Sequence, residues 1–378
     1  MANKIYIVFL IFCLCCKPSS NDEPKPGPPS TNGSTYDRGP ILQHIADEII
    51  IPSYQGFEVK LDELKAAGDL FANSPTRAAL LNLRDAWSSA YIEWQKVELF
   101  NFGPAETYTL RSFFNIYPAN VVGIENNVSS GSQNLETTIS YPQQGFPALD
   151  YLINGLGQSD DEILAKFITD PSATNRLNYL KTLLVQMQSK FTPVLSAWKT
   201  NYRQTFVTNT STESNAPFTL VTSAYIENYE RYIRTGKFGI PSGIFSSGTI
   251  RPELVEAYYK KDLSLQLAQA AHQASVDFFN GKSIKTGKEG PSLKTALSAV
   301  DAKALNSGRS LGDDINSQFA VVKGKLDILY PNFYQEVNNN NQKMVDVVNE
   351  MQRAVLLLKG DMPPALSITI NYVDTDGD

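Results

Sequence analysis

The stretch "GFPALDYLING", Gly145–Gly155, places Pro147 and Asp150 three residues apart at the head of an apolar helical pattern. Side chains at that spacing share one face of a helix. A histidine and a carboxylate so placed could grip a metal together, whereas proline ligates nothing. The stretch therefore reads as a helix start or as a binding site that has lost a ligand. A second carboxylate, Glu98, closes a helical stripe with Trp87, Tyr91 and Trp94, at steps of four, three and four. There it is either buried and paired or lines a pocket. Arg111 is the expected partner, because a guanidinium fork matches a carboxylate. Glu230 stands in a related place further along, again shortly before a Phe-Gly pair.

Other chemistry is restricted by what the chain lacks. It has two histidines, His44 and His272, and neither belongs to a His-Glu-x-x-His zinc motif. No Gly-x-Ser-x-Gly elbow accompanies them, and there is no Walker-type phosphate loop. His44 and Glu48 lie one helical turn apart and could form half a metal site, although such pairs more often make a solvated face. His272, in "AQAAHQASVDFF", is expected to pack or cap. "DTDGD" at 374–378 resembles the start of a calcium loop, but the further ligands do not follow and a solvated tail is expected. The net charge is −6 with no long basic run, which speaks against a nucleic-acid partner.

The elements that must position these residues read as helices. Ser74-Pro75, Asp170-Pro171 and Pro252 look like helix starts. Leu265–Phe279 and Met344–Leu358 carry helical periodicity, and only "SITINYV", 367–373, alternates like a strand. The fold expected is all-α with a short extended C-terminal tail. The pentapeptide "SAYIE" occurs at Ser89–Glu93 and again at Ser223–Glu227, each time followed by a carboxylate, a Phe-Gly and a proline. Two related helical-bundle halves, 41–208 and 209–378, are expected to pack together and leave a ligand cleft.

Residues 1–16 form an apolar run behind Lys4 that is too short to span a bilayer and fits a signal peptide. All three cysteines fall at its end, in "CLCCKPSS", as in a bacterial lipoprotein signal, so Cys16 is the expected lipid-bearing residue and Cys15 the alternative. With no cysteine beyond Cys16, the mature chain has no disulfide and no thiolate site. Residues 17–40, rich in Pro, Gly and Ser, read as a tether that could reach about 70 Å when extended.

Taken together, "AWSSAYIEWQKVELFNFGP" around 85–104, "NIYPANVVGIENNV" at 115–128, "GFPALDYLINGLG" at 145–157 and "ALSITINYVDTDGD" at 365–378 resemble the imelysin family, also catalogued as M75 peptidases. The resemblance implies an all-helical protein of the cell envelope, often a lipoprotein, associated with iron uptake or its regulation. It implies lipid anchorage, with the outer membrane (periplasmic face or cell surface) as the expected place, and an iron-uptake protein as a partner. The family signature is Gly-x-His-x-x-Glu, and its positions here are Gly145, Pro147 and Asp150. The histidine has become proline and the acid is one methylene shorter. Iron as a cofactor is thus weakened, and the identity of any cofactor stays open. The expected activity is non-enzymatic binding, with Glu98, Arg111, Tyr117, Gly145 and Asp150 lining a cleft and Glu230 joining from the second half. A structural or interaction protein with a vestigial site is the alternative. A metallopeptidase, which needs a metal and a general base, ranks third.

Overall fold

Asp37 opens the first helix by accepting a hydrogen bond from Gly39 N at 2.9 Å. The computed structural model describes residues 36–372. The signal sequence, Cys16, most of the tether and the "DTDGD" segment lie outside the described residues. Because Asp37 supplies a cap, helix starts inside the expected tether, at Arg38 rather than after residue 40.

The first rod, α1, runs Arg38–His44, passes through a π-helical turn at Ile45–Ile50 and continues as Ile51–Asn73. Pro52 has no N–H for the ladder, and the register of the ladder changes in the turn just before it. α2 is Arg77–Trp94. Its N-cap is Thr76, which accepts from Ala79 N, and not the expected Ser74. Ser74 precedes a proline, is extended (φ −150°, ψ 84°) and bonds back to Leu70 O, so it ends α1 instead. The start expected at Asp170-Pro171 likewise falls later, with α3 at Ala173–Ala197, because Asp170 turns its side chain onto Ser172 N. Pro252 begins only a single 3₁₀ turn, Pro252–Leu254. α4, Pro217–Glu227, continues as a long π-helical stretch, Asn228–Gly239. α5 is Ser264–Asn280, α6 Leu311–Leu326 and α7 Phe333–Val355. Among the described residues there is no strand, and Ser367–Tyr372 runs on outside any regular element.

α1 packs on α2 and α3, and the π-helical stretch after α4 packs on α7, which also lies along α6. The core of the first group is aromatic. Tyr91 stacks on Phe146 with ring centroids 4.3 Å apart, Trp94 on Phe114 at 4.7 Å, and Phe57 meets Phe191 edge-on at 4.9 Å. Helix is broken over 209–216, and the described residues on both sides of that break belong to one compact unit. The two copies of "SAYIE" lead into different backbone. After the first, the helix ends and Gly103 turns the chain with φ +54°. After the second, Phe238-Gly239 remains helical (Gly239 φ −68°), so the second Phe-Gly pair makes no turn.

The two ends of the described chain are fastened to each other. Tyr36 Oη donates to Leu366 O at 3.0 Å and Arg38 Nη2 to the same carbonyl at 3.1 Å. Asn371 N donates to Ser223 Oγ at 3.3 Å.

Both histidines serve the fold. His44 Nε2 lies 2.7 Å from Gly281 O, and Glu48 accepts from Ser283 Oγ and Lys285 Nζ, so the pair sews α1 to the loop after α5. His272 is buried between Phe319 O, 3.1 Å from Nε2, and Tyr229 Oη, 3.3 Å from Nδ1. A carbonyl only accepts, so Nε2 carries the proton and the neutral ring satisfies both neighbours. Burial pushes its pKa from 6.5 down to about 4, opposed by the Phe319 carbonyl. The unfolded chain therefore binds a proton that the folded one refuses between those values, and stability falls as pH drops through that window. Urea unfolding at pH 7 and pH 4.5 is expected to show a loss of up to about 3 kcal/mol from this group, and His272→Gln to remove that part of the pH dependence.

Candidate functional site

The end of α2 presents Tyr91 and Gln95 on one face, and the chain then turns into a 3₁₀ segment, Glu98–Phe100. A short helix, Leu110–Phe114, brings Arg111 and, just past its end, Asn115 and Tyr117. Opposite them the π-helical stretch offers Arg231, Tyr232 and Lys237. Glu256 arrives from the irregular chain beyond Leu254.

Asn115 is the hub. Its Oδ1 accepts from Tyr91 Oη at 2.6 Å, and its Nδ2 donates to Glu256 Oε1 at 2.9 Å and to Glu98 Oε1 at 3.2 Å. Lys237 Nζ donates to Gln95 Oε1 at 2.8 Å and to Glu256 Oε2. Glu98, Glu256, Lys237, Gln95 and Asn115 are each at most 4% exposed. Arg111 Nε lies 3.1 Å from Glu98 Oε1, as expected for the pair. Its N–H is not directed along that line, so the contact is an ion pair and not a hydrogen bond. The guanidinium also covers the ring of Tyr232, 3.5 Å from its centroid.

Beside this network lies a cavity of about 480 Å³ lined by Arg111, Asn115, Tyr117, Pro118, Arg231, Tyr232 and their neighbours. Burial, and then the charges of Glu256 and Glu98, raise the pKa of Tyr117 well above the usual phenol range. Burial and Glu256 do the same to Tyr91. Both hydroxyls thus remain protonated at neutral pH and can donate hydrogen bonds.

The other expected residues are placed elsewhere. Gly145 has φ +69°, and a Cβ there would meet Phe114 O at 2.2 Å, so it lets the helix Gly145–Asp150 start hard against the segment that carries Asn115. Pro147 lies in the first turn of that helix, where its missing N–H costs nothing. Asp150 is its last residue, past the first turn, and so lies away from the positive helix end. Its carboxylate accepts from the backbone N–H of Tyr259 and of Lys260, both at 2.9 Å, and from Asn154 Nδ2 at 3.0 Å. Burial pushes its pKa up to about 7 against the pull of those donors. Glu230 pairs with Lys359 Nζ at 2.9 Å and accepts from Tyr372 Oη, fastening the C-terminal stretch away from the cavity lining. The structure therefore gathers Glu98, Arg111 and Tyr117, and separates Asp150 and Glu230 from them. Gln95, Asn115, Lys237 and Glu256 were missed by sequence reasoning. Only Gln95 carried a signal, one turn beyond Tyr91. Among the described residues, no group of three or more His, Cys, Asp or Glu side chains could hold a metal ion.

The sequence model of one known family, imelysin (peptidase M75), matches residues 50–355. The chain belongs to the imelysin family. It is 23% identical over 181 residues to iron-regulated protein A of Synechococcus elongatus, a match that covers 47% of this imelysin and 46% of that relative. It thus spans about half the length of that curated relative. A crystal structure of a proposed iron-regulated protein A precursor from Parabacteroides distasonis superposes with a TM-score of 0.70 at 17% identity, over 88% of this chain and 97% of that one. An imelysin-like protein from Psychrobacter arcticum gives 0.58 at 17% identity, over 88% and 96%. These likenesses establish the fold.

The network yields a stability test. Lys237→Met leaves the buried Glu256 carboxylate without its cation and is expected to cost about 3–5 kcal/mol in urea unfolding. The double variant Lys237→Met/Glu256→Leu is expected to recover most of that loss, because no buried charge is left uncompensated.

Proposed function

We propose that this imelysin is a non-enzymatic binding component of an iron-acquisition route, held at the cell envelope by a lipid on Cys16, with its ligand in the cavity beside Glu98, Arg111 and Tyr117. The observation that carries this reading is the pairing of that cavity with an ordered, fully buried polar network at its wall. Such a wall offers fixed donors, the phenol of Tyr117 and the guanidinium of Arg111, and these orient a ligand without reorganising. The relatives named for iron regulation support the iron connection. Arginines beside the cavity favour iron that arrives within a carrier over a bare cation. An envelope protein of iron uptake is the proposed partner, at the outer membrane.

One observation favours a second reading, a structural or interaction protein with a vestigial signature. Asp150, the acid of that signature, commits its oxygens to backbone N–H groups. The metallopeptidase reading has no comparable support, since Pro147 stands where the signature has histidine.

The test is a fluorescence titration of the mature chain, followed through its three tryptophans, with haem, ferric citrate, a ferric catecholate, and ferrous, ferric and zinc ions alone. Saturable binding of one iron-bearing species, weakened about tenfold in Arg111→Ala and in Tyr117→Phe, is the expected result. Binding that both variants leave untouched, or no binding of any iron species, would defeat the reading. Labelled palmitate is expected to enter the wild-type chain in a bacterial host and not Cys16→Ala; label that is lost instead in Cys15→Ala would move the anchor by one residue.

A further inference from the structure

The route from Leu254 to the start of α5 at Ser264 contains no α-helix, yet it delivers Glu256 to the centre of the buried network. Two of its residues, Ala257 (φ +55°) and Lys261 (φ +66°), hold left-handed backbone conformations without being glycine. Non-glycine residues keep such conformations only where contacts from outside pin them. The pins are visible on both sides. Ser264 Oγ donates to the carbonyl of Glu256 itself at 2.7 Å. Three and four residues after Glu256, two successive backbone N–H groups converge on one carboxylate. Tyr259 N donates to Asp150 Oδ2 and Lys260 N to Asp150 Oδ1, each at 2.9 Å. Asn154 steadies that carboxylate from one turn along the same helical run. The ring of Tyr259 lies on the same surface, 5.3 Å from that of Tyr151 and so close to Gly155 that a Cβ there would fall 2.4 Å from Tyr259 Cδ1.

We infer that Asp150 is a positioning residue for the cavity: its carboxylate fixes the backbone at Tyr259 and Lys260, and so sets Glu256 against Lys237 and Asn115. A carboxylate suits this task because it only accepts, and its two oxygens can take two adjacent N–H groups at once. The acid at this place in the chain therefore acts through the backbone of a distant segment, and its effect reaches the cavity through Glu256. The link to ligand binding rests on the cavity reading proposed above; the link to Glu256 does not.

The experiment compares the mature wild-type chain with Asp150→Asn, Glu256→Gln and the double variant. Asparagine keeps one acceptor but turns an N–H group toward one of the two backbone donors. Hydrogen exchange followed by mass spectrometry is expected to show amides over 255–262 exchanging about tenfold faster in Asp150→Asn, with peptides of α1 and α3 unchanged. In urea unfolding the two substitutions are expected to be coupled, with Asp150→Asn changing the unfolding constant about tenfold less when Glu256 is already Gln. Exchange that rises throughout the chain, or strictly additive effects, would overturn the inference. Asn154→Ala, which strips a single hydrogen bond from the same carboxylate, is the milder variant should Asp150→Asn fail to fold; a smaller rise over the same segment supports the inference and no rise there overturns it. If an iron species binds the wild type, Asp150→Asn should weaken it, and should weaken it no further in the Glu256→Gln background. If none binds, the cavity reading fails, while the exchange and coupling results decide the positioning role alone.

Discussion

Taking a charged side chain out of water costs several kcal/mol unless a partner and enough hydrogen bonds replace the solvent. Glu98, Glu256 and Lys237 are all buried, with Arg111 pressed against the first of them. Each of the four lies on a different segment, so none of those segments can settle independently of the others. The end of α2, the helix Leu110–Phe114, the π-helical stretch after α4 and the chain beyond Leu254 must arrive together. Asn115 makes the arrangement specific, because a primary amide can join both carboxylates while still accepting from Tyr91. The cavity wall is in this sense a by-product of charge compensation.

The same constraint explains the altered signature. Proline at 147 is tolerated because the first turn of a helix has spare N–H groups, and its ring asks for nothing that the structure would have to supply. Glycine is needed at 145 because a Cβ there would collide with Phe114 O, whatever stands two residues later. Asp150 keeps a structural task in holding the backbone of Tyr259 and Lys260. A metal-binding interpretation of these three positions would have required the carboxylate to face open space; it faces another part of its own chain.

Periodicity made the long helices legible, since a buried stripe such as Trp87, Tyr91 and Trp94 records the packing directly. Helix starts were less legible. Ser74-Pro75 and Asp170-Pro171 resemble starts, but a residue before proline favours extended backbone, and the cap passes to a later polar residue or to none. The Glu98–Arg111 pair could be anticipated because the two are near in sequence and an aromatic stripe pointed at Glu98. Glu256 could not. It stands 141 residues from Asn115, in "ELVEAYY", with nothing local to set it apart from a solvated glutamate. Lys237 was hidden in the same way, and Glu230 was misleading, since its resemblance to Glu98 ended where the second Phe-Gly stayed helical. Pairings between distant charges leave no mark on a single sequence, because burial is decided by the partner and not by the neighbours.

The carbonyl of Leu366 takes hydrogen bonds from both Tyr36 and Arg38. Entry and exit of the described chain are therefore stitched at one point. Tension applied along the chain at Tyr36 meets this stitch before it reaches the helix that begins at Arg38, and passes into the short helix Met362–Ala365 and the stretch tied to Glu230 and Ser223. The first helix is thereby relieved of being peeled from its own end. Mechanical load is shared between the two extremities of the described chain.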